Sequence, residues 1–300
     1  MVGVSRLADR YQLHRVVGRG GMGTVWAARD VRSGREVAVK TVTDRGGEAG
    51  RLRREARLAA SVTHPGVVAV HDAGHDGATG YLVMDLLTGP DLGAVLDQGP
   101  MAPVEAVRVT ARLADALAAV HGAGVVHGDV KPANVVLDAG DGVVLIDFGA
   151  ALSTDDDAGP VTFGTATYMA PEQVTSAPAT AASDVYALGC LLTTALAGRP
   201  PFVAGSPTDV LHRQVRAAAP RLRELVPGVP AALDDLVASM LEKDPAARCT
   251  SAQAHAALSA LREDDPLPAS LGRREEAPVT RLDAEATRPI LEVLDLPAAA

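Results

Sequence analysis

Hydrophobic and polar residues alternate along the first third of the chain in the way that β-strands require. Five segments have this period-two alternation or a short apolar run, and they cover residues 11–17, 24–29, 36–42, 67–71 and 81–86. A charged amphipathic helix is predicted over 51–61, and a Gly-rich segment over 74–80 separates the last two strands. The pattern predicts a small, mainly antiparallel lobe.

Helical periods dominate from residue 103 onward. The segment Val104–His121 has apolar residues at 107, 109, 113, 117 and 120, which share one helical face. Further helices are predicted over 181–197, 208–217, 231–242 and 251–262, with short strands over 135–137 and 143–146. Strands followed by helices predict an α+β fold of two unequal lobes.

The same patterns predict the domain boundaries. The small lobe is expected over 6–85, a hinge over 85–89 and the large lobe over 90–262. Residues 263–300 are rich in proline and acidic residues and lack periodicity, so they are predicted to be a disordered tail.

Composition narrows the function classes. The 300 residues carry a formal net charge of -9, which gives no support to nucleic-acid binding or to attachment to an anionic membrane. Two cysteines indicate a reducing cytoplasm rather than a disulfide framework. No secretion signal and no apolar run of membrane-spanning length is present, so a cytoplasmic location without a membrane segment is expected.

Rare residue types mark the candidate chemistry. The 28 basic residues include only three lysines, Lys40, Lys131 and Lys243, and Asn134 is the only asparagine. Because the chain uses arginine for ordinary surface charge, a lysine or asparagine is expected where arginine or aspartate cannot serve.

A Gly-rich turn joins two predicted strands and contains Gly18, Gly20, Gly21 and Gly23. Glycines allow backbone N–H groups to approach an anion such as phosphate, although on this motif alone a flexible hairpin is equally consistent. The turn connects strand to strand, whereas a dinucleotide-binding fingerprint opens a helix.

Lys40 ends the apolar strand segment that begins at Val37, so burial of its charge requires an anionic partner. Nucleotide phosphates and Glu55 are both candidates for that partner. The alternative for Glu55 is a solvated helix face among the neighbouring arginines at 51, 53, 54 and 57.

The segment from His127 to Asn134 places Asp129, Lys131 and Asn134 within six residues, and Asp147 opens an Asp-Phe-Gly sequence further along. Phosphoryl transfer requires metal ions, a cation on the transferred group and an acceptor for the hydroxyl proton. We expect Asp147 and Asn134 to hold magnesium, Lys131 to neutralise the γ-phosphate, and Asp129 to act as the base. The alternative is a polar turn before a strand.

Together these motifs and the later Ala170-Pro171-Glu172 resemble the eukaryotic-type protein kinase family, in particular its bacterial serine/threonine branch. The resemblance covers about residues 6–262 and implies a two-lobed kinase fold that uses ATP with Mg²⁺ or Mn²⁺. It implies catalytic roles for Lys40, Glu55, Asp129 and Lys131. The nucleotide-contacting positions that it implies are Val17, Gly18, Gly20, Gly21, Gly23, Val25, Ala38, Lys40, Met84, Asp85, Leu87, Asp91 and Val136.

Further roles follow from the same resemblance. Arg248 is expected to pair with Glu172, and Asp184 is expected to brace the catalytic loop, which is the segment from His127 to Asn134. Lys131 and Thr165 match Ser/Thr kinases rather than tyrosine kinases, and Thr165 would bridge to Asp129 and Lys131. The implied activity is phosphorylation of proteins in bacterial signalling, with autophosphorylation.

Gly128 departs from the family, which usually has arginine at this position to bind a phosphorylated activation segment. No Arg or Lys occurs between residues 135 and 198 either. We therefore expect activity that does not depend on phosphate capture there. The His-Gly-Asp sequence also resembles small-molecule phosphotransferases, and an ATP-binding pseudokinase scaffold is the third reading.

Protein substrates are the expected partners, and nucleic acid is not. In the tail, Thr280 and Thr287 each precede an arginine and are candidate sites for a phospho-Thr-binding partner; the alternative is an inert linker. The family resemblance also raises the expectation of a homodimer formed through the small lobe.

Overall fold

The computed structural model describes residues 6–20, 23–43, 47–139, 142–153 and 166–264. These residues form two units. The first contains the described residues up to Pro90 together with Val136–Ala151, and the second contains Asp91–Val135 and the described residues from Leu152 onward. The predicted tail beyond residue 264 lies outside the described residues.

A six-stranded antiparallel sheet forms most of the first unit. Its strands, in chain order, are β1 (Arg6–Leu7), β2 (Tyr11–Gly20), β3 (Gly23–Asp30), β4 (Glu36–Thr43), β5 (Val70–Asp76) and β6 (Thr79–Asp85). They lie in the order β1-β2-β3-β4-β6-β5. Residues of five strands pack into one core that includes Leu7, Tyr11, Ala28, Val39 and Val83. The prediction of a mainly antiparallel small lobe is therefore confirmed.

Helix α1 (Glu48–Ala60) packs on the other side of strand β4. It begins after Gly47, whose φ of 93° is a left-handed conformation that glycine adopts at low cost. Leu52 and Ala56 pack with Val42 and Leu82. Glu55 is only 6% exposed, so the alternative of a solvated helix face is wrong for this residue.

Strand β5 differs from its prediction. The structure places it over Val70–Asp76, later than the predicted 67–71, so that its last residues extend into the Gly-rich segment 74–80. Gly74 lies beneath the Tyr81 ring, where an added Cβ would approach the ring carbons to 2.7 Å. A side chain at position 74 would have to displace the Tyr81 ring, so packing inside this strand, rather than a turn, favours glycine.

Strands β8 (Val135–Asp138) and β9 (Gly142–Leu145) form a hairpin that packs within the first unit. The Leu145 N–H donates to Gly66 O at 2.8 Å, and the Leu137 N–H donates to Pro90 O at 2.9 Å. The predicted large lobe was continuous over 90–262 and did not separate this hairpin. Hydrophobic periodicity predicts a short strand but does not identify its neighbours.

The second unit is mainly helical. Its helices are α2 (Leu92–Leu96), α3 (Pro103–Gly122), α4 (Pro171–Val174), α5 (Ala181–Ala197), α6 (Pro207–Arg216), α7 (Leu222–Leu225), α8 (Ala231–Met240) and α9 (Ser251–Asp264). The short strands β7 (Val125–Val126) and β10 (Leu152–Ser153) pair antiparallel. Among the described residues, no helix combines the length and the apolar character needed to cross a bilayer.

Helices α3 and α5 form the centre of this unit. All five apolar positions predicted for α3, at 107, 109, 113, 117 and 120, are buried. Helix α5 buries every residue from Ser183 to Leu196, and Gly198, with a φ of 73°, caps its C-terminal end. The helices missed by the sequence pattern, α2, α4 and α7, have only four or five residues each, too few to show a helical period.

Candidate active site

The predicted site residues fall into two groups, one in each unit, and each group is described by itself. In the first unit, the Gly-rich turn joins β2 to β3, with Gly18 paired to Val25 and Gly20 to Gly23. Gly23 has a φ of 122°, and a Cβ on it would lie 2.2 Å from Thr41 O. Only glycine fits this position. Gly21 lies outside the described residues.

Lys40 lies in β4, and its side chain is 8% exposed. Its ammonium Nζ donates to both carboxylate oxygens of Glu55, at 2.8 and 2.9 Å, and to Asp147 Oδ1 at 2.9 Å. The predicted pairing of Lys40 with Glu55 is confirmed. The contact with Asp147 was not predicted, because the sequence does not reveal which carboxylates meet in the fold.

Electrostatics keep this lysine charged. Burial lowers the pKa of Lys40, but the carboxylates of Glu55 and Asp147 outweigh burial and raise that pKa above its ordinary value. The group therefore presents a permanent cation at neutral pH. A permanent cation of this kind is suited to binding phosphate oxygens.

Asp147 adopts a left-handed backbone conformation with a φ of 64°, which is uncommon for a residue with a side chain. Its Oδ1 also accepts a hydrogen bond from the Gly149 N–H at 3.3 Å. Phe148, the next residue, is 1% exposed and anchors the turn. Strained backbone held by side-chain contacts is frequent at functional sites.

The residues of the first unit that were expected to contact the nucleotide come from several strands, with Ala38 on β4 and Met84 and Asp85 on β6. Ala38 pairs with Met84 and Val37 pairs with Asp85 in the ladder between these strands. Ala38 and Val136 are buried, at 6% and 8% exposure, whereas Val17 is 41% exposed. Val25, Met84 and Leu87 are half-buried. Apolar surface of this kind is typical of ligand pockets.

In the second unit, Asp129, Lys131 and Asn134 meet within one loop. Asp129 Oδ2 accepts from Lys131 Nζ at 2.6 Å and from Asn134 Nδ2 at 3.1 Å. Asn134 Nδ2 also donates to the Asp129 carbonyl at 2.9 Å. Because its amide nitrogen makes both of these hydrogen bonds, the atom of Asn134 that could coordinate a magnesium ion is its side-chain oxygen.

Asp91, one of the nucleotide-contacting positions that the resemblance implies, also belongs to the second unit. Its Oδ1 accepts from the Ala94 N–H at 2.9 Å, so it caps the N-terminus of α2. Helix capping is therefore a structural reason for an aspartate at this position, in addition to the predicted contact with the nucleotide.

Asp184 braces the catalytic loop as predicted. Its carboxylate is 1% exposed and accepts from the N–H groups of His127 and Gly128, both at 2.8 Å. The sequence did not indicate a third partner, His121, whose Nε2 lies 2.9 Å from Asp184 Oδ2. His121 Nδ1 in turn lies 2.9 Å from Ser251 Oγ.

Gly128 has a φ of 77°, in the left-handed region. Its N–H donates to Asp184, and its carbonyl accepts from Gln173 Nε2 at 3.0 Å. Glycine in place of the family's usual arginine thus fits the backbone at position 128, because glycine adopts a left-handed conformation without the strain that it causes in other residues. Gln173 was also missed by the sequence reasoning.

The predicted ion pair between Glu172 and Arg248 is confirmed. Arg248 donates in a bidentate manner, with Nη1 2.7 Å from Oε1 and Nη2 2.8 Å from Oε2. Ser183 Oγ adds a hydrogen bond of 2.6 Å. Burial raises the pKa of Glu172, but its bonds to Arg248 and Ser183 outweigh burial and hold that pKa below the ordinary value. Thr165 lies outside the described residues.

The described residues provide few metal-ligating side chains in any one place. Within the described ranges, no cluster of three or more His, Cys, Asp or Glu side chains could hold a metal ion by itself. Asp147 in the first unit and Asn134 in the second each carry a side-chain oxygen of the kind that magnesium accepts as a ligand.

Comparison with known proteins agrees with this chemistry. The protein kinase domain family matches residues 11–258. The chain is 39% identical over 293 residues to serine/threonine-protein kinase PknE of Mycobacterium bovis, covering 93% of this chain and 51% of that protein. It is also 39% identical over 300 residues to serine/threonine-protein kinase PknB of Mycobacterium tuberculosis, covering 94% of this chain and 46% of that protein. The chain thus spans about half the length of the curated relatives it matches.

Proposed function

The chain belongs to the protein kinase family, and we propose that it transfers the γ-phosphate of ATP to Ser and Thr hydroxyls of proteins, including its own. The observation that carries the proposal is the loop in which Lys131 and Asn134 both bind one oxygen of Asp129. That arrangement holds a carboxylate base beside a cation, as phosphoryl transfer requires.

On the nucleotide side, the proposal assigns the phosphates to Lys40 and to the N–H groups of the Gly-rich turn. Glu55 orients Lys40, because both of its oxygens accept from the ammonium. Asp147 and Asn134 would each hold a Mg²⁺ ion. When bound, these ions neutralise charge that develops on the phosphate oxygens.

On the substrate side, Asp129 accepts the proton of the attacking hydroxyl. Its Oδ2 already receives two hydrogen bonds, so Oδ1 is the oxygen that we assign to the substrate. The hydroxyl oxygen forms a bond to the γ-phosphorus, the bond to the β-phosphate oxygen breaks, and ADP leaves. Lys131 remains close enough to the base to stabilise the transferred charge.

The protein class of the substrate rests on two supports. The relatives at 39% identity are named serine/threonine-protein kinases. The Ala170-Pro171-Glu172 segment, fixed by Arg248, is the second support, since small-molecule phosphotransferases generally lack it.

Transfer of labelled phosphate tests the proposal against its alternatives. The chain is incubated with γ-labelled ATP and Mg²⁺, together with either a generic protein substrate or a panel of aminoglycosides. Labelled phosphoserine or phosphothreonine in protein supports the kinase. Label only in the small molecules favours a phosphotransferase, and nucleotide binding without transfer favours a scaffold. Asp129→Asn should reduce protein labelling by roughly 10²–10⁴.

We further propose that activity does not depend on an activation-segment phosphate bound by the catalytic loop. The support is that glycine occupies position 128, in a left-handed conformation, and that residues 135–198 contain no Arg or Lys. The single variants Thr154→Ala, Thr162→Ala and Thr165→Ala test this, although all three positions lie outside the described residues. Loss of activity in either of the first two would overturn this part.

We place the reaction in the cytoplasm, which supplies ATP and matches the two cysteines, both of which are free thiols. We also propose Thr280 and Thr287 as autophosphorylation sites read by a phospho-Thr-binding partner. Mass spectrometry after incubation with ATP tests these sites, and an unmodified pair would remove them.

A further inference from the structure

Lys243 differs from the other two lysines of the chain in its partners. Lys40 pairs with Glu55 and Asp147, and Lys131 pairs with Asp129. Within the part of the chain that the structure describes, Lys243 contacts no carboxylate. Its Nζ donates instead to Gln214 O at 2.7 Å and to Tyr186 OH at 3.1 Å.

Aromatic rings and a second cation surround this amine. Nζ lies 4.2 Å from the centroid of the Phe202 ring and 5.4 Å from that of Tyr186. The Arg248 guanidinium lies 4.9 Å from the same Tyr186 ring. The flanking acids Glu242 and Asp244 form no ion pair with Lys243 in the structure. The ammonium form thus gains two rings but contacts no anion, and the nearby Arg248 guanidinium is itself paired with Glu172.

These surroundings lower the pKa of Lys243 to about 8, mainly through burial, with a further contribution from Arg248. Cys190 is the one neighbour that would raise this pKa, but only as a thiolate. Burial raises the pKa of Cys190 to about 12, so it stays a neutral thiol at physiological pH. At pH 7.5 about a quarter of Lys243 is then uncharged, compared with about 0.1% of an ordinary lysine.

We propose that Lys243 is a selective acylation site that accepts the acyl group of an acyl phosphate or an acyl thioester. The nitrogen lone pair attacks the carbonyl carbon and forms an amide N–C bond. The C–O bond to phosphate, or the C–S bond to the thiol, breaks and that group leaves. The amine releases one proton to solvent, and no electron transfer is involved.

Acylation at this position has a structural consequence within the second unit. Gln214 joins three features: its Oε1 accepts from Tyr186 OH at 2.5 Å, and its Nε2 donates to Thr167 O at 2.8 Å, while its carbonyl binds Lys243. That carbonyl belongs to the last turn of α6, where a cation stabilises the helix end. Neutralising Lys243 removes the cation that donates to this carbonyl, while Arg213 and Arg216 remain in the same turn, and it loosens the support of residues 166–168.

Residues 166–168 lead directly into Met169–Glu172, the segment that the proposed function associates with protein substrates. If that function holds, acylation should raise the KM for a protein substrate while leaving the KM for ATP unchanged. This consequence rests on the proposed function, whereas the reactivity of Lys243 does not.

Competitive labelling of the folded chain tests the reactivity. The protein is treated with acetyl phosphate in one arm and with acetyl coenzyme A, a thioester, in the other, between pH 6.5 and 9.5, and acetylation of all three lysines is measured by mass spectrometry. Lys243 should react at least about tenfold faster than Lys40 and Lys131 at pH 7.5, with a rate that reaches half its maximum near pH 8. Reaction with either donor supports the acylation site, and the donor that reacts identifies the class of compound that supplies the acyl group.

Unfolding the chain in urea provides the control, because the selectivity should disappear when the cluster is lost. Lys243 acetylation no faster than that of Lys131 in the folded protein overturns the proposal. For the consequence, acetyl phosphate should slow protein phosphorylation by wild type but not by Lys243→Arg, which keeps a cation at this position. Equal inhibition of wild type and Lys243→Arg would overturn the proposed effect of Lys243 acylation on phosphorylation. Because labelling requires no ATP, its failure is distinct from failure of the kinase activity.

Discussion

The two groups of candidate catalytic residues are built in different ways. In the first unit, Lys40 contacts Glu55 and an aspartate 107 positions away, so three separate elements must fold before the group exists. In the second unit, Asp129, Lys131 and Asn134 lie within six residues and contact one another inside a single loop. The first group depends on tertiary structure, and the second on local conformation.

They also differ in what stabilises them. Lys40 and Glu55 are buried charges that compensate each other. The catalytic loop is instead fixed through its backbone, by hydrogen bonds from His127 and Gly128 to Asp184. We therefore expect substitutions in the first group to affect stability and activity together, and those in the loop to separate the two.

Lys40→Met should have the largest combined effect. Transfer should fall by roughly 10²–10³, since a preorganised cation is lost. Stability should fall by about 3 kcal/mol, because Glu55 stays buried without its partner. Transfer assays and urea unfolding measure the two losses, and Arg51→Met on the exposed side of α1 should change neither.

The double variant Lys40→Met, Glu55→Leu sharpens this prediction. Removing both charges should recover most of the lost stability without recovering activity. A double variant as unstable as Lys40→Met would show that the ion pair is not what couples the two properties.

Asp184→Asn should destabilise the chain by about 2 kcal/mol. The two carboxylate oxygens of Asp184 accept from two backbone N–H groups, and in asparagine an NH₂ group, which is a donor, takes the place of one of these oxygens. The transfer rate should fall while ATP affinity is unchanged. Asp209→Asn, an exposed acid in α6, is the matched control. Full transfer activity in Asp184→Asn would contradict the bracing role.

Gly128→Ala and Gly34→Ala form a matched pair, since φ is 77° at Gly128 and 75° at Gly34. Both should lose about 1 kcal/mol, the cost of a side chain in the left-handed region. Only Gly128→Ala should also slow transfer, because only Gly128 lies in the catalytic loop. Thermal unfolding and measurement of the transfer rate check this in both variants. Equal transfer rates in Gly128→Ala and Gly34→Ala would show that the left-handed conformation at Gly128 has no functional role.

The smallest effect expected is a pH dependence from Glu172. Its pKa is lowered in the folded chain below the ordinary 4.5, so its ion pair stabilises the fold above that pH. The contribution is lost as the pH falls through the folded-state pKa. The Tm difference between wild type and Glu172→Gln should therefore shrink as the pH falls below about 4.5. A difference that stays constant down to pH 3 would contradict this.

The comparison also explains what the sequence could predict. Asp129, Lys131 and Asn134 were recognisable because a local motif contains all three. The requirement that a lysine in an apolar strand be compensated made Glu55 one of two candidate partners, beside nucleotide phosphates, and the family resemblance gave Glu55 its catalytic role. The Asp147 contact was not accessible, because several anions could have satisfied the same requirement.

Other features escaped prediction for related reasons. His121 reaches Asp184 from the end of α3, and nothing in its local pattern indicates a partner 63 positions away. Gly74 resembled a turn residue, although packing against Tyr81 is what favours glycine there. The hairpin of β8 and β9 was predicted as strands, but its place in the first unit depends on hydrogen bonds to Gly66 and Pro90. In each case the missing information is a tertiary contact.

The most direct test of the central claim is to measure ATP affinity and phosphoryl transfer in the same preparations of wild type and Asp129→Asn. Calorimetry with MgATP gives the affinity, and γ-phosphate incorporation into a protein substrate gives the rate. If nucleotide binding and proton acceptance are separate tasks, Asp129→Asn should bind ATP within about threefold of wild type and lose roughly 10²–10⁴ in rate. Transfer at the wild-type rate, or a loss of binding as large as the loss of rate, would contradict the account.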